Sequence, residues 1–435
     1  MITVTSEERT GRPLFLVFEP TNHMYQVIEA AAHRGFDVVV LHTLPILTGG
    51  PYGSCSSGIA LAHALPSWDD VDAWFAAVLE VCGDRTVAGT YAAQEIALEL
   101  EARVQEHFGL PGKGAAVVRE LLNKVTVRRR LARAGLTRLR VFEESDVDGL
   151  RDWPVGDRAL FFKPVHGAGS AFVKRCRNLE DVRAAIAEWK AADKISLPVL
   201  GPYLESDGGA FFLDEEAVGE LLSVEGYVHD GGFHAIGLCS RTVLERDVAV
   251  EMGATFPYLH PRHDEIVSTV ARLHDVLGIA HGPTHTEVIV PAHGEIELVE
   301  MNLRFSGADV LAAMNAAYGT AFEDQLVALA VGEAPELPPR HRRFACLQYL
   351  LAPAGLTRLE SFELPGDVEL PFVKIIRPAG SDLASTDRQI DWIAGFVACG
   401  ASHDEAIERA NDVRRRTLVN GAPLGDDPNN VVIGR

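Results

Sequence analysis

The sequence predicts an α/β protein with a parallel sheet near its N-terminus and a small α+β unit at its C-terminus. The first observation is that an apolar strand, a helix and a second strand follow one another between residues 14 and 41, as in a β-α-β unit. The second is that strand and helix signals keep alternating as far as a proline-rich boundary at 335–339. The third is that two strand-like runs and one long helical run follow this boundary.

These elements divide the chain into three predicted domains, at 1–115, 116–335 and 336–435, with a mobile lid at about 146–203 in the second. We expect strands at 14–18, 36–41, 87–90, 346–351 and 372–376, and helices at about 25–34, 92–108, 118–134 and 402–417. No Gly-x-Gly-x-x-Gly motif follows the first strand, so a dinucleotide site is not supported. The run Arg128–Arg130 is interpreted as a solvated helix face.

The composition is that of a globular protein and argues against several classes of partner. The 435 residues are 47% hydrophobic and 23% charged, and the net charge is −21. Such a charge makes nucleic acid or an anionic membrane surface a poor partner. We expect neither a secretory leader nor a membrane span, because the sequence has no signal-peptide pattern and no apolar run of spanning length. Scattered cysteines predict reduced thiols in a cytoplasmic protein, at positions 55, 82, 176, 239, 346 and 399.

The most informative stretch is a strand that carries Glu300, Asn302 and Arg304. Because side chains alternate along a strand, these three point to the same side. If the preceding loop is 292–295, Glu287 lies opposite Glu300, and two like charges in that position destabilise a sheet unless a cation lies between them. Oxygen ligands of this kind suit Mg²⁺, and a guanidinium suits phosphate. The alternative is an edge hairpin with solvated acids.

A glycine-rich turn follows a second strand that ends at Lys163. Residues 164–170 read PVHGAGS, and a return strand is expected at 171–174. Glycines let backbone N–H groups approach an anion, and a lysine at the strand end adds a positive charge. The Walker pattern is absent, so a glycine-rich hairpin that covers phosphates is the nearer analogy. The alternative is an ordinary turn.

These motifs occur in a recognisable order along the chain. They are Asn123-Lys124, Phe162-Lys163-Pro164, the glycine turn, Gly201–Leu204, Ser223–Gly226, Thr284–Glu287 and Glu300–Gly307. The series resembles the ATP-grasp superfamily and, within it, the carboxylate–amine ligases of the L-amino acid ligase type. The resemblance implies an ATP-grasp fold, with an N-terminal Rossmann-like α/β domain, central ATP-grasp lobes and a small C-terminal α+β domain.

The resemblance also implies roles for individual residues. The residues implied to bind ATP are Lys124, Lys163, His166, Gly167, Gly169, Ser170, Pro202, Tyr203 and Leu204, with 201–204 as the hinge that meets the adenine. Those implied to hold Mg²⁺ or Mn²⁺, as two ions, are Glu287, Glu300 and Asn302. Those implied to act in catalysis are Arg304, Lys163 and Arg241. The proposed hinge departs from the family pattern because it has Gly201-Pro202 where an acidic residue is common, and the ribose-binding acid is either Glu205 or Asp207.

A last set of residues is implied to line the substrate pocket. These residues are Glu95, Glu251, Arg304, Gly307 and Ala308. Amino acid ligases carry a glutamate that contacts the amino substrate at the spacing that separates Glu95 from Lys124. The alternative for Glu95 is an acid at a helix N-terminus, where the helix dipole favours it. Ala308 is small and would leave the pocket roomy.

The function implied by the resemblance is ADP-forming ligation of a small-molecule carboxylate to an amine through an acyl phosphate, giving an amide or a dipeptide. The partners would be these two substrates and a second copy of the chain in a homodimer. One alternative is an ATP-dependent carboxylase that resembles biotin carboxylase. Another is a nucleotide-binding protein without catalysis, which the intact set of metal ligands argues against.

Overall fold

A computed structural model describes most of the chain. The described residues are 11–20, 24–43, 59–65, 68, 70–92, 94–147, 149–194, 197, 200–307, 309–386 and 391–434. Two residues singled out from the sequence, Cys55 and the predicted pocket residue Ala308, lie outside these ranges. No helix in the described ranges is long and apolar enough to cross a membrane.

The N-terminal region is a four-stranded parallel sheet in the order β3-β2-β1-β4, which confirms the predicted β-α-β unit. Helices cover both of its faces: Phe15 and Val17 of β1 pack with α1, and Leu14 and Leu16 pack with α2 and α3. The elements are β1 (Leu14–Phe18), α1 (Met24–His33), β2 (Asp37–Thr43), β3 (Ile59–Leu65), α2 (Val71–Cys82), β4 (Val87–Ala92) and α3 (Glu95–Phe108).

The single helix predicted at 118–134 is two helices, α4 (Ala115–Leu122) and α5 (Lys124–Arg133). Asn123 separates them with an extended backbone, and its side chain accepts a hydrogen bond of 2.9 Å from the Thr126 amide. Asparagine is a preferred N-cap because its side-chain oxygen satisfies an amide that has no partner within the helix. The break places Lys124 in the first turn of α5, where the helix dipole favours anions.

A second, antiparallel sheet has the order β5-β8-β6-β7 and forms a separate lobe, which we call the lid. Its strands extend from Val141 to Glu215, so the lid exceeds the predicted range of 146–203 at both ends. Its elements are β5 (Val141–Glu143), α6 (Glu144–Val147), β6 (Leu160–Pro164), β7 (Lys174–Cys176), α7 (Leu179–Ala191), α8 (Leu200–Leu204), a 3₁₀ turn (Ser206–Gly208) and β8 (Phe211–Glu215).

The chain leaves the lid through residues 216–219, which connect β8 to the first strand of the next sheet. The prediction of a hinge at 201–204 is therefore wrong. Those residues form α8 inside the lid, where Leu204 is buried in the core of the lobe with Phe162 and Phe211. Three consecutive acidic residues, 214–216, lie next to this crossing, at the end of β8.

Within the described ranges, the largest sheet has nine strands, eight in the order β13-β12-β9-β10-β11-β14-β19-β17, with β22 paired to β10. Strands β14, β17, β19 and β22 come from the region beyond residue 335, so the predicted boundary there does not separate two sheets. The strands are β9 (Glu220–His229), β10 (Gly232–Leu244), β11 (Asp247–Phe256), β12 (Gly282–Val290), β13 (Glu297–Asn302), β14 (Phe344–Leu350), β17 (Phe372–Ile375), β19 (Ala394–Gly400) and β22 (Val432–Gly434).

Helices pack against this sheet, and short strand pairs complete the C-terminal region. Helix α10 lies on the sheet face that also carries the site described below, and its residues Leu311 and Met314 pack with Leu347 and Tyr349. The remaining elements are α9 (His263–Leu277), α10 (Val310–Tyr318), α11 (Phe322–Ala330), α12 (His403–Arg416), β15 (Arg358–Leu359), β16 (Phe362–Glu363), β18 (Ser381–Asp382), β20 (Leu418–Val419) and β21 (Ala422–Pro423).

Candidate active site

The hairpin of β12 and β13 has the register predicted from the sequence. Glu287 lies opposite Glu300, and His285 lies opposite Asn302. A bulge between Glu287 and Val288 shifts the rest of the pairing. β12 ends at Val290 and β13 begins at Glu297, so the loop is longer than the predicted 292–295. The two carboxylates and the amide that were predicted to bind a metal ion therefore lie on neighbouring strands of one sheet.

Glu287 is held by two cationic side chains. Arg241 Nη2 donates a hydrogen bond of 2.6 Å to its Oε1, and His285 Nε2 lies 3.2 Å from the same oxygen. Burial raises the pKa of Glu287, but Arg241 and His285 outweigh burial and bring it to about 2. His285 also meets Glu225 at 2.7 Å; burial lowers the pKa of the imidazole, but the Glu225 carboxylate raises it to about 9. Both groups are therefore charged at neutral pH.

Arg241 lies between two of the predicted site carboxylates. Its Nε is 3.5 Å from Glu251 Oε1 on β11, while its Nη2 reaches Glu287 on the other side. The Glu251 side chain is 24% exposed, against 19% for Glu287, while that of Arg241 between them is 3% exposed. Burial raises the pKa of Glu251, and Arg241 only partly offsets it. Glu251 is thus the more accessible of the two partners and the one whose negative charge is less well stabilised.

Lys124 joins three predicted parts of the site. Its Nζ donates a hydrogen bond of 2.8 Å to the carbonyl oxygen of Gly167 in the glycine turn, and it lies 3.3 Å from Glu300 Oε1 on β13. The turn belongs to the lid, whereas Glu300 belongs to the large sheet. A single ammonium group therefore bridges the two lobes.

Lys163 and Arg128 share one buried carboxylate. Lys163 Nζ lies 2.7 Å from Asp214 Oδ2, and Arg128 contacts the two oxygens of Asp214 from Nε at 3.1 Å and from Nη2 at 2.7 Å. Arg128 also donates to the carbonyl oxygen of Leu298 on β13. The interpretation of Arg128 as part of a solvated face is wrong, because its side chain is buried and joins α5, the lid and the large sheet.

Arg304 pairs with Glu95 at the first residue of α3. Arg304 Nε donates to Glu95 Oε1 at 3.0 Å, its Nη2 contacts the same oxygen, and its Nη1 donates to the carbonyl oxygen of Phe305 at 2.9 Å. Gly307 is close by, since a Cβ added there would lie 3.9 Å from Arg304 Nη1. Burial raises the pKa of Tyr203 well above its usual value, and the carboxylates of Glu95 and Glu300 add to this. Tyr203 lies on α8 inside the lid and is not part of the hinge.

The predicted ATP-binding turn lies at the edge of the lid. Gly169 and Ser170 both have positive φ, 60° and 54°, and the return strand begins at Lys174, later than expected. His166 Nε2 lies 2.8 Å from Asp207 Oδ2, and its ring is 5.5 Å from that of Tyr203. Pro202 and Leu204 lie on α8 on either side of Tyr203. The other candidate for a ribose contact, Glu205, is 3.0 Å from Lys194.

The oxygen atoms of the predicted metal ligands fit a hard divalent cation that is also coordinated by a bound substrate. Among the described residues, no group of three or more His, Cys, Asp or Glu side chains is arranged to hold a metal ion by itself. Glu287, Glu300 and Asn302 offer two carboxylates and one amide oxygen. Mg²⁺ is commonly bound by one or two carboxylates together with substrate phosphates. The predicted residues therefore fit such an ion in the presence of a nucleotide.

Sequence reasoning missed three parts of this site: Arg128, Glu225 and the crossing segment 216–219. The acidic run at 214–216 after an apolar strand was the available signal for the last of these. No comparable signal marked Arg128, because a run of three arginines on a helix is most often solvated. Glu225 lies opposite His285 in the pairing of β9 with β12, which requires knowledge of the strand order.

Parts of the chain are similar in sequence to known proteins. Residues 158–311 match the ATP-grasp domain family. The alanine–anticapsin ligase of Bacillus subtilis is 22% identical over 275 residues, which is 58% of this chain and 57% of that ligase, so the match spans just over half of the curated protein.

Solved structures agree over a longer range. The L-amino acid ligase from Bacillus licheniformis has a TM-score of 0.77 at 18% identity, covering 94% of this chain and 99% of that one. The biotin carboxylase domain of Hydrogenobacter thermophilus 2-oxoglutarate carboxylase, solved with MgADP and bicarbonate, has a TM-score of 0.67 at 15% identity, covering 94% and 90%. The chain therefore has the ATP-grasp fold and is similar to the ATP-grasp carboxylate–amine ligases.

Proposed function

We propose that the protein is an ADP-forming ligase that uses ATP to join a carboxylate to an amine through an acyl phosphate. The observation that carries the proposal is the position of Lys124, whose Nζ lies within 3.3 Å of both the Gly167 carbonyl of the lid and the Glu300 carboxylate of the large sheet. One cation thus connects a glycine turn suited to phosphates with a carboxylate suited to Mg²⁺. The similarity to an alanine–anticapsin ligase and an L-amino acid ligase supports this reading.

The nucleotide would lie between the lid and the large sheet. Lys124 and Lys163 would exchange their present oxygen partners for phosphate oxygens, and the backbone of the turn at 167–170 would cover the same group. The adenine would lie against the crossing segment 216–219, where Val218 is 68% exposed and offers apolar surface. We assign Mg²⁺, as two ions, to Glu287, Glu300 and Asn302; it would neutralise charge on the phosphates.

The residues around Arg304 would perform the chemistry on the acid. A carboxylate is a poor electrophile because oxide is its leaving group, and phosphorylation by the γ-phosphoryl of ATP replaces oxide with phosphate. Arg304, oriented by Glu95 and by the Phe305 carbonyl, would stabilise negative charge on the acyl oxygen when the amine attacks. The C–N bond forms as the C–O bond to phosphate breaks, and the amine loses a proton. Tyr203 would close the site from the lid.

Glu251 is the side chain we assign to the ammonium group of an amino substrate. Glu95 was predicted for this role, but its side chain is only 7% exposed and is already paired with Arg304. Glu251 is more exposed, and burial raises its pKa, so it could also take the proton that the amine must lose. Arg241 would then hold Glu251 and Glu287 at a fixed separation.

A matrix of acid and amine pairs, with phosphate release and product mass as readouts, tests the proposal. We expect ADP and phosphate as nucleotide products, and ¹⁸O from a labelled carboxylate in the released phosphate. AMP with pyrophosphate, or unlabelled phosphate, would contradict the acyl-phosphate mechanism. Phosphate release that depends on bicarbonate and biotin, with no response to any amine, would favour the carboxylase alternative, which the similarity to a biotin carboxylase domain keeps open.

The remaining features of the proposal concern the whole chain. We propose the domains 1–115, 116–335 and 336–435 as units of the sequence, with 141–215 as the moving lid. We also propose a homodimer and a cytoplasmic location. The described cysteines at 82, 176, 239, 346 and 399 are free and buried, as in proteins of a reducing compartment. Light scattering in solution measures the oligomeric state directly.

A further inference from the structure

A buried aspartate follows directly after the loop predicted to line the substrate pocket. Asp309 is the residue before α10, it is 5% exposed, and its φ is 54°, in the left-handed region. Aspartate enters this region more readily than most residues, but a buried carboxylate requires partners to offset the loss of water. The identity of those partners links Asp309 to a distant part of the chain.

The two partners of Asp309 among the described residues come from strands beyond residue 340. The Tyr349 hydroxyl on β14 donates to Asp309 Oδ2 at 2.8 Å. Lys374 Nζ on β17 lies 3.1 Å from Oδ1 and 3.0 Å from Oδ2. A lysine that contacts both carboxylate oxygens, together with a phenol, satisfies most of the hydrogen-bonding capacity of the aspartate.

The sheet register explains how two strands that are not neighbours reach the same carboxylate. Tyr349 lies opposite Gly395 on β19, and Gly395 lies opposite Lys374 on β17, so the three residues form a row on one face. A Cβ at Gly395 would come within 2.7 Å of the Tyr349 ring, so only glycine leaves room for the ring. Trp392 stacks on Tyr349 from the other side, with ring centroids 3.7 Å apart. The phenol is thus held firmly in place.

The same carboxylate lies one short loop from the proposed chemistry. Arg304 Nη1 binds the Phe305 carbonyl at the start of that loop, and Phe305 packs in the core with Val310 and Tyr349. Arg304 therefore contacts the backbone at Phe305, and Asp309 is held by two C-terminal strands. No contact of Asp309 that the structure describes involves Lys124 or Lys163, which face the proposed phosphate site.

We propose that Tyr349 and Lys374 are positioning residues that hold Asp309, and through it residues 305–307, in the geometry that binds the carboxylate or amine substrate. We call the three residues the Asp309 clasp. The inference rests on the proposed function and deepens it, because it assigns to the C-terminal strands a role in substrate placement that is separate from ATP binding. Loss of the clasp lets the loop move relative to Arg304, and a displacement of about 1 Å is enough to lower the rate strongly.

The experiment compares Lys374→Met, Lys374→Arg and Tyr349→Phe with the control Arg358→Met. Arg358 also belongs to the C-terminal region, but its partner is the exposed Asp382 at 2.7 Å. We expect Lys374→Met to raise the KM of one substrate, acid or amine, about tenfold or more, with the KM of ATP within about twofold of wild type. Lys374→Arg should recover most of the loss, Tyr349→Phe should show a smaller change of the same kind, and the control should show none.

Equal rises in the KM of ATP and of the substrates, or no change in either, would overturn the clasp. A readout that needs no activity separates this failure from failure of the proposed function. Hydrogen exchange of peptides that cover 303–312 should be faster in Lys374→Met than in wild type, and exchange at 160–170 should not change. Unchanged exchange at 303–312 overturns the clasp. Faster exchange in a protein that ligates no acid–amine pair supports the clasp and refutes the ligase. Tyr349→Phe serves for the same measurements if Lys374→Met does not fold.

Discussion

The large sheet and the lid balance charge in opposite ways. On the large sheet, the described carboxylates of Glu225, Glu251, Glu287 and Glu300 face three cationic groups, Arg241, His285 and Lys124. In the lid, the single carboxylate of Asp214 faces two cations, Lys163 and Arg128 of α5. Among these site residues, the sheet side thus has one more carboxylate than cations, which suits a metal cation, whereas the cluster around Asp214 has one more cation than carboxylates, which suits phosphate. A bound nucleotide with its metal ion would offset both charge imbalances.

The largest expected effect comes from removing one charge on the negative side. Glu300→Gln should lower kcat by about 10³-fold, because the metal site loses a charged ligand while the strand keeps its shape. Glu287→Gln should act similarly, and the double variant should be little worse than either single variant, since both serve one site. Steady-state phosphate release at saturating Mg²⁺ measures this. Wild-type turnover in folded Glu300→Gln would show that the carboxylate does not bind the metal.

The second test removes a cation from the lid side. Arg128→Leu should lower the free energy of unfolding by about 3–5 kcal/mol, because the 2% exposed Asp214 side chain loses its bidentate partner. Arg129→Leu on the same helix is the matched control, since Arg129 is 56% exposed, and should change stability by no more than about 0.5 kcal/mol. Urea titration measures both. Equal losses would mean that the burial of Arg128 is of no energetic consequence.

Variants of Lys163 test whether the cations around Asp214 bind the phosphates of ATP. Lys163→Ala should lower kcat/KM for ATP by about 10²-fold, and Lys163→Arg should recover only part of it, because a guanidinium differs from an ammonium in shape and reach. The measurement is initial rate against ATP concentration at saturating acid and amine. If Lys163→Ala binds and turns over ATP normally, the turn at 164–170 is an ordinary turn.

Variants of Glu95 and Glu251 test which of these carboxylates acts in catalysis and which binds the amine. Glu95→Gln should lower kcat by about tenfold with little change in the KM of the amine, since Glu95 orients Arg304. Glu251→Gln should instead raise the KM of the amine by about tenfold, because we assign it to the ammonium group. A rise in the amine KM for Glu95→Gln alone would restore the ammonium contact that was first predicted for Glu95.

The smallest effect concerns pH. Burial raises the pKa of Asp214, but Arg128 and Lys163 outweigh burial and hold it below its ordinary value of 3.8. A lowered folded-state pKa stabilises the protein above the unfolded pKa, and this contribution is lost as the pH falls through the folded value. Asp214→Asn lacks the titrating group, so its stability should fall less steeply than that of wild type below about pH 4. Thermal melts at a series of pH values measure this. If the melting temperatures of the variant and the wild type fall with the same slope below about pH 4, the prediction is contradicted.

Sequence reasoning succeeded where local pattern fixes geometry. The two-residue period of a strand puts Glu300 and Asn302 on one side, and the hairpin fixes Glu287 opposite Glu300 despite an error in loop length. It failed where partners are distant in sequence. The hinge was misplaced because nothing local shows which of two segments crosses between sheets. Arg128 was misread because its partners, Asp214 and Leu298, lie on strands that only the fold brings to α5.

The pairing of β22 with β10 has a consequence for the time at which β10 acquires its last partner during synthesis. β10 carries Arg241, and its residues 242–244 pair with residues 432–434, near the end of this sequence. Ribosomes add about 5–20 residues per second, so the last partner of β10 is made on the order of ten seconds or more after the strand itself. Until then, part of β10 is an unpaired edge, and such edges invite pairing with other chains. A nascent chain stalled in this interval would be a natural client for a chaperone.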